Sequence, residues 1–322
     1  MSLSDMQVFN QYIMPATIET LGQMVEKFNA ASGGTIILTS EGFEGDFMEA
    51  SFWSAVHGAQ RRVDRYASND AVAATNLAQL KNASVKVGGG FGPILFEPSQ
   101  LSWLRKPTAE GIEVASRNFA EAMLRDQLNT AIAVLVAAIE NGGAATTVDV
   151  SGSKVADYEA YNDTHAKFGD SSQALVASVM NGQQFHKLIG GNLTNTNRLF
   201  EAGNVRVVDI LGRLSVVTDA PALSETGSPN KYKTLHLVSG AAAVMDGNDV
   251  IGNIETTNGK QRIETTMQVD YSFGVGIKGY TWDTTNGGKS PTDAELATGT
   301  NWDQTATDVK HTAGVLTAGA QS

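Results

Sequence analysis

The chain contains no cysteine, which excludes disulfides, thiolate-held zinc, iron–sulfur clusters and thiol nucleophiles together. Proline is scarce, 7 residues against 33 glycines, a balance that fits many turns and extended segments. Basic residues are outnumbered. With 23 Lys and Arg against 34 Asp and Glu, the net charge of −11 argues against general affinity for nucleic acid, because phosphate neutralisation needs clustered cations. The same charge permits, without requiring, a surface that encloses DNA and does not adhere to it. Long apolar runs are missing too. The most apolar stretch, AIAVLVAAI at 131–139, is charge-free only from Gln127 to Ile139, short of the ~20 residues of a membrane span. The opening MSLSDMQVFNQYIMPATIE lacks the basic start and apolar core of a secretory signal, so a cytosol-like compartment is expected.

What is present is a folded composition, 42% hydrophobic and 18% charged, long enough for two or three lobes. From Ile263 to Lys278 the sequence alternates without a break. Ile263, Thr265, Met267, Val269, Tyr271, Phe273, Val275 and Ile277 share one side, and Glu264, Thr266, Gln268, Asp270, Ser272, Gly274, Gly276 and Lys278 the other. A period of two means a strand with one buried and one wet face, here roughly 50 Å long. A helix of similar reach is predicted from about Thr108 to Asn141, at ~1.5 Å per residue. Its start has Pro107 and Thr108 as a cap region with Glu110 in the first turn. Its first half turns Ile112, Ala115, Phe119 and Met123 inward and Glu113, Arg117, Glu121 and Arg125 outward. From Ala131 it is apolar all round and should be enclosed, until Asn141-Gly142-Gly143 ends it. A ribbon and a helix of this length suit a flat, elongated subunit with neighbours along its sides.

Around these, Met14, Ile18, Leu21, Val25 and Phe28 predict an amphipathic helix that stops at Ser32-Gly33-Gly34, before a short strand at 35–39. Residues 43–53 are aromatic-rich and ambiguous. From Arg61 to Trp103 the chain reads as an excursion: a strand at 80–87, a turn in GlyGlyGlyPheGlyPro at 88–93, and a returning strand at Ile94–Phe96. An isolated two-stranded arm is marginal in water, so support from outside the subunit is expected. Residues 157–238 predict an α/β lobe. It holds a buried strand at 174–180, a short helix Gly182–Ile189 capped by Asn181 and closed by Gly190-Gly191, strands at 205–210 and 214–218 across Leu211-Gly212-Arg213, and another at 234–238. From Asn286 the chain has one credible helix start, Ser290-Pro291-Thr292-Asp293, and otherwise reads as mobile or partner-dependent.

Motifs that carry chemistry resolve into bland readings. Gly274-Val275-Gly276-Ile277-Lys278-Gly279 spells a dinucleotide fingerprint, but its glycines interrupt a strand and no helix opens after it, so a bend or close backbone approach is expected. Gly287-Gly288-Lys289-Ser290 resembles the end of a phosphate loop but has Asp283 where the first glycine belongs. Asp246-Gly247-Asn248-Asp249 lacks the ligands of a calcium loop. The histidines, His57, His165, His186, His236 and His311, show no metal-binding spacing, and no nucleophile elbow is present. No catalytic, cofactor or metal residue is therefore assigned. Arg61, Arg62 and Arg65 form the densest basic cluster. They read either as a solvated face paired locally with Asp64 or as an intersubunit contact at the base of the arm.

The order of these parts resembles tailed-bacteriophage major capsid (coat) proteins, a fold shared with encapsulins. ALVASVMNGQQFHKL at 174–188 is similar to that family's strand and short helix, and LGRLSVVTDAP at 211–221 to its glycine turn leading to a strand and a proline; the likeness spans roughly 15–285. It implies an α+β fold of six parts: an N-terminal arm (1–45), an extended β-hairpin loop (46–105), a spine helix with the start of a peripheral domain (106–155), an axial α/β domain (156–238), a peripheral β ribbon (239–285) and a C-terminal tail (286–322). It further implies self-assembly into pentamers and hexamers of an icosahedral shell around double-stranded DNA, with no catalysis, cofactor or membrane. Assembly in the host cytoplasm, a separate scaffolding protein, a portal and a decoration protein come with the same expectation. Some relatives crosslink a loop lysine to a neighbour. Lys81 and Lys86 lie in the loop and are noted as intersubunit candidates, without a motif for that chemistry. The alternatives at this stage are an encapsulin-like nanocompartment shell, a cytosolic hydrolase with a dispersed Ser/His/Asp site, and a tail tube protein.

Overall fold

The computed structural model describes residues 16–321 apart from 54–60, 97–108, 195–208 and the short gaps 18, 22, 24–28, 30–31, 40–41, 44, 67, 69–70, 73, 75–78, 211–212, 248, 259–260 and 262. Its elements in chain order are β1 (Ile36–Thr39), β2 (Phe47–Trp53), β3 (Gln79–Phe96), α1 (Ala109–Asn141), β4 (Thr147–Asp149), α2 (Tyr158–Ala166), β5 (Leu175–Met180), α3 (Gly182–Thr194), β6 (Asp209–Ile210), β7 (Arg213–Val217), β8 (Ser224–Glu225), β9 (Lys231–Val238), β10 (Ala242–Asp246), β11 (Ile251–Thr257), β12 (Glu264–Ile277), β13 (Tyr280–Trp282), α4 (Asp293–Leu296), β14 (Trp302–Gln304) and β15 (Gly314–Ala320). Two main sheets result. One runs β1-β10-β12-β3-β2, with β11 also on β12; the other runs β4-β15-β9-β5-β7-β6, with β8 also on β9.

The alternating segment forms β12, one unbroken strand of 14 residues at the centre of the first sheet. Met267, Val269, Tyr271, Phe273, Val275 and Ile277 are buried as the period requires, while Gln268 and Asp270 are exposed. The expected wet face ends there: Ser272, Gly274 and Gly276 are buried as well. Phe43 covers this end, and a side-chain carbon added at Gly274 would stand 2.0 Å from its ring. Gly276 faces Ser84 in the same way. The glycines serve close packing, as the strand context indicates.

The spine helix α1 runs 33 residues without interruption, about 50 Å. Its expected cap at Pro107 and Thr108 lies outside the described residues. Ala131, Val134, Leu135, Ala138 and Ile139 are fully buried, because α1 is sandwiched against strands of both sheets and one continuous apolar core runs through it. By length and hydropathy Arg117–Asn141 would suffice to cross a membrane, longer than the charge-free stretch alone indicates; 61% of that apolar stretch is instead buried inside the protein. Earlier along the helix, α1 meets the ribbon through Phe119 and Phe91, 6.2 Å apart, Phe91 and Tyr271, 5.4 Å apart, and a 2.5 Å hydrogen bond donated by the Tyr271 hydroxyl to Asp126. The helix stops as expected. Gly143 takes φ +56°, and Thr146 Oγ1 donates to the carbonyl of Ile139.

At three places the structure corrects the sequence reading. Residues 88–93 are not a turn: β3 runs straight through them, Gly88, Gly89 and Gly90 pairing with Ser272, Tyr271 and Asp270. Glycine permits a turn without forcing one, and here its missing side chain makes room for the Tyr271 ring. The irregularity that remains is a bulge, with Phe91 opposite Val269, Ile94 opposite Met267 and Gly92 at φ +102° between them. The arm is consequently a hairpin of β2 on β3, paired from Phe47–Val85 to Trp53–Gln79. Second, α3 does not stop at Gly190-Gly191 but reaches Thr194; two glycines cost about 1 kcal/mol each in a helix, and packing of Leu188 and Phe185 against α2 outweighs that.

Third, the segment from Asn286 is neither loose nor partner-dependent. Trp282 and Trp302 are buried against one another at 4.9 Å near the end of α1, Thr292 and Glu295 form a reciprocal cap on α4, and β15 is entirely buried between β4 and β9. Small residues made this strand look unstructured; they are small because both faces are covered. Of the strand expected at 205–210, residues 205–208 lie outside the described residues and Asp209–Ile210 form β6. The amphipathic N-terminal helix is seen in part, with residues 16, 17, 19–21, 23 and 29 helical and Leu21 buried.

Candidate assembly surface

The β2–β3 arm extends past the end of β12. Its pairing with β12 stops at Val85–Val275, and from Ala83 back to Gln79 β3 pairs only with β2, steadied by a hydrogen bond from the Ala83 amide to Thr281 Oγ1 at 2.8 Å. Between the two strands the described residues 61–66 have no regular structure, and all are exposed. Tyr66 is 93% exposed, with Val63 and Val72 also exposed nearby in sequence. Isolated exposed apolar side chains are ordinary, but three in an arm without its own core point to a surface covered by something else.

Arg61, Arg62 and Arg65 are exposed on this arm and make no ion pair among the described residues. Asp64, the expected local partner, instead accepts the Tyr66 amide at 2.9 Å in a tight turn. The two lysines sit elsewhere, each paired within the subunit. Lys81 meets Glu49 across the hairpin at 3.0 Å, both exposed. Lys86 meets Asp249 at 3.2 Å where the hairpin joins the ribbon. Burial pushes the Asp249 carboxyl up, but hydrogen bonds from Ser272 and Lys86 outweigh it and hold the group below its ordinary value. Among the described residues the five basic residues thus separate into three arginines without an ion pair and two engaged lysines. At the other end of the ribbon Ile251, Ile263, Ile94 and Leu95 are exposed, and the outer edge of β11 carries no partner strand among the described residues.

The remaining motifs serve turns and packing among the described residues. Gly279 closes the β12–β13 turn at φ +79°, Gly288 accepts the Trp282 indole N–H at 3.0 Å, and Asp249 fastens its turn to Ser272. One juxtaposition escapes sequence reasoning: His165, His236 and Ser178, from α2, β9 and β5, meet in the lobe. Ser178 Oγ lies 2.8 Å from His236 Nδ1, which looks like a nucleophile beside its base, but both residues are buried. A cue existed in the polar residues at 178, 234 and 236 of otherwise apolar strands; only the register reveals that they face one another.

A long helix lying along a long ribbon, an α/β lobe on the same core and a projecting hairpin define a shell-forming subunit of the tailed-phage capsid fold. The family model of Gp13-like major capsid proteins (Major capsid protein 13-like) matches residues 5–316, and the chain belongs to that family. It is a structural protein of the virion capsid that assembles with its own copies. No curated protein matches the sequence. Among solved structures it is similar to the "Cyanophage Pam1 capsid asymmetric unit" (TM-score 0.53, 13% identity, 89% of this chain and 88% of that one). It is similar also to a chain of Mycobacterium phage Cain (0.52, 13%, 84% and 89%) and to one of the acid-stable capsid of Helicobacter pylori bacteriophage KHP30 (0.51, 10%, 89% and 87%). At such identity the likeness is one of fold. Family and neighbours are phage capsid proteins, and the nanocompartment alternative is not favoured.

Proposed function

We propose that this subunit tiles a closed icosahedral shell around double-stranded DNA as pentamers and hexamers, the arm of each copy lying on a neighbour. The observation that carries this reading is the β2–β3 hairpin, whose connecting segment bears three exposed arginines with no ion pair among the described residues, on a chain of net charge −11. Acidic copies offer such a cluster a partner, and head-to-tail contacts of this kind close into rings. In this reading residues 46–105 are the overlapping loop, α1 and the ribbon the peripheral part, and 156–238 the axial lobe, with 286–322 returning through β15 to the lobe's sheet. Catalysis plays no part. A separate scaffolding protein, a portal and a decoration protein are the expected partners, and the host cytoplasm the place of assembly.

Negative-stain imaging of the purified protein, alone and with its phage's scaffolding protein, tests the reading. Closed shells or six-membered rings are expected. A small monodisperse species at high concentration under both conditions would overturn it.

A further inference from the structure

His165 and His236 are 6% and 1% exposed, and their rings meet edge to face with centroids 4.5 Å apart. His165 Nε2 is 3.0 Å from His236 Nδ1, the nitrogen that Ser178 Oγ also approaches. On the far side His236 Nε2 is 3.0 Å from Thr317 Oγ1, which is 2.7 Å from Thr164 Oγ1, and Thr164 donates to the Ala160 carbonyl at 2.8 Å. One assignment of protons is consistent with the series, with the single lone pair of His236 Nδ1 shared between two donors. His236 is neutral with its hydrogen on Nε2, so Nδ1 accepts from His165 Nε2–H and Ser178 O–H, and donation then runs through Thr317 and Thr164 to Ala160. Charging both rings would set two cations with centroids 4.5 Å apart inside the core.

Among the described residues no opposite charge acts on the pair. From β7, Arg213 is the charged group acting on both rings, and it repels an added proton. From α2, Tyr161 meets His236 edge-on at 5.0 Å with its phenol pushed up to about 12 by burial, while β5, β9 and β15 contribute the hydroxyls of Ser178, Thr234 and Thr317. No carboxylate takes part in this network among the described residues.

We propose that the His165–His236 pair is a proton-operated latch: neutral, it fastens α2 to the seven-stranded sheet, and on acidification it releases the helix. Burial, with Arg213 second, lowers His165 to about 4, and burial, His165 and Arg213 hold His236 well below its ordinary value. Between the unfolded value near 6.5 and the folded one the unfolded chain binds more protons. The latch's stability is therefore complete above about pH 6.5 and is lost as pH falls toward 4. For His165 alone the folding constant drops roughly 30-fold by pH 5.

The test is urea unfolding of the full chain between pH 7.5 and 4.5, for the natural protein and for a His165→Gln, His236→Gln double variant that cannot titrate there. Carboxylates contribute equally to both proteins. The expected result is a fall in folding constant from pH 7 to pH 5 at least tenfold smaller in the variant; equal falls would overturn the latch. Should the variant fail to fold, hydrogen exchange on the natural protein decides. Protection of α2 amides, corrected for intrinsic rates, is expected to drop at least tenfold more than that of α1 between pH 7 and pH 5, and a parallel drop would overturn it.

Discussion

Gly274 sets the spacing on which the first sheet depends. Its missing side chain admits the buried Phe43 ring, so a methyl group there must displace an aromatic ring that has nowhere to go. Gly274→Ala is expected to lower stability by about 1–3 kcal/mol, the usual cost of overpacking, as measured by urea denaturation. Gly143→Ala meets no neighbour and suffers only from its positive φ, so a loss of about 1 kcal/mol is expected. The need for small residues at 274 and 276 is legible in the sequence as an interruption of a strand's polar face. That Phe43, more than two hundred residues away, fills the space is not, because no local rule relates the two.

At the scale of elements, α1 is tied to β9 by charge as well as by packing. Lys233 is buried, with its ammonium 2.8 Å from Glu140 on α1 and 2.9 Å from Glu225 on β8. The hydrogen bond from Lys233, with its charge second, holds Glu225 below the ordinary carboxylate range. Replacing Glu140 and Glu225 together by Gln leaves a buried cation without a counter-charge. Breaking a buried pair costs ~3–5 kcal/mol, and solvent at the half-exposed Glu225 end brings the expected loss to about 2–3. Lys233→Met should cost less than the double change, because it removes the charge and keeps the packing. Thermal unfolding of the three proteins at neutral pH ranks them. The spine helix and the ribbon were readable because each spans many repeats of its period. The hairpin was misplaced because a glycine run carries no information about which strand lies beside it, and the bulge at Gly92 is visible only once β12 is in register.

For the whole molecule, the prediction concerns assembly and leaves the fold untouched. Arg61, Arg62 and Arg65 make no described ion pair within the subunit, so reversing them to Glu should leave the unfolding free energy unchanged within about 0.5 kcal/mol. On an acidic chain the same change should turn attraction between copies into repulsion, lowering the yield of closed shells or rings in sedimentation and negative stain. A loss of stability without a loss of assembly would sink the assigned role. Lys81→Ala serves as a control, because its exposed partner Glu49 remains solvated and the pair is worth at most ~1 kcal/mol.

The lengths of α1 and β12 to within a residue at each end, the acidic balance and the lack of any thiol chemistry are properties of the sequence alone, since periodicity and composition act locally and additively. Contacts between distant segments needed the tertiary structure. Strand β15 became core because β4 and β9 flank it, the glycines of β3 became a bulged strand because Tyr271 lies across them, and two histidines 71 positions apart became neighbours. Each of these depends on which surfaces the fold brings face to face, and burial energy is decided by that pairing and not by the neighbours in the chain.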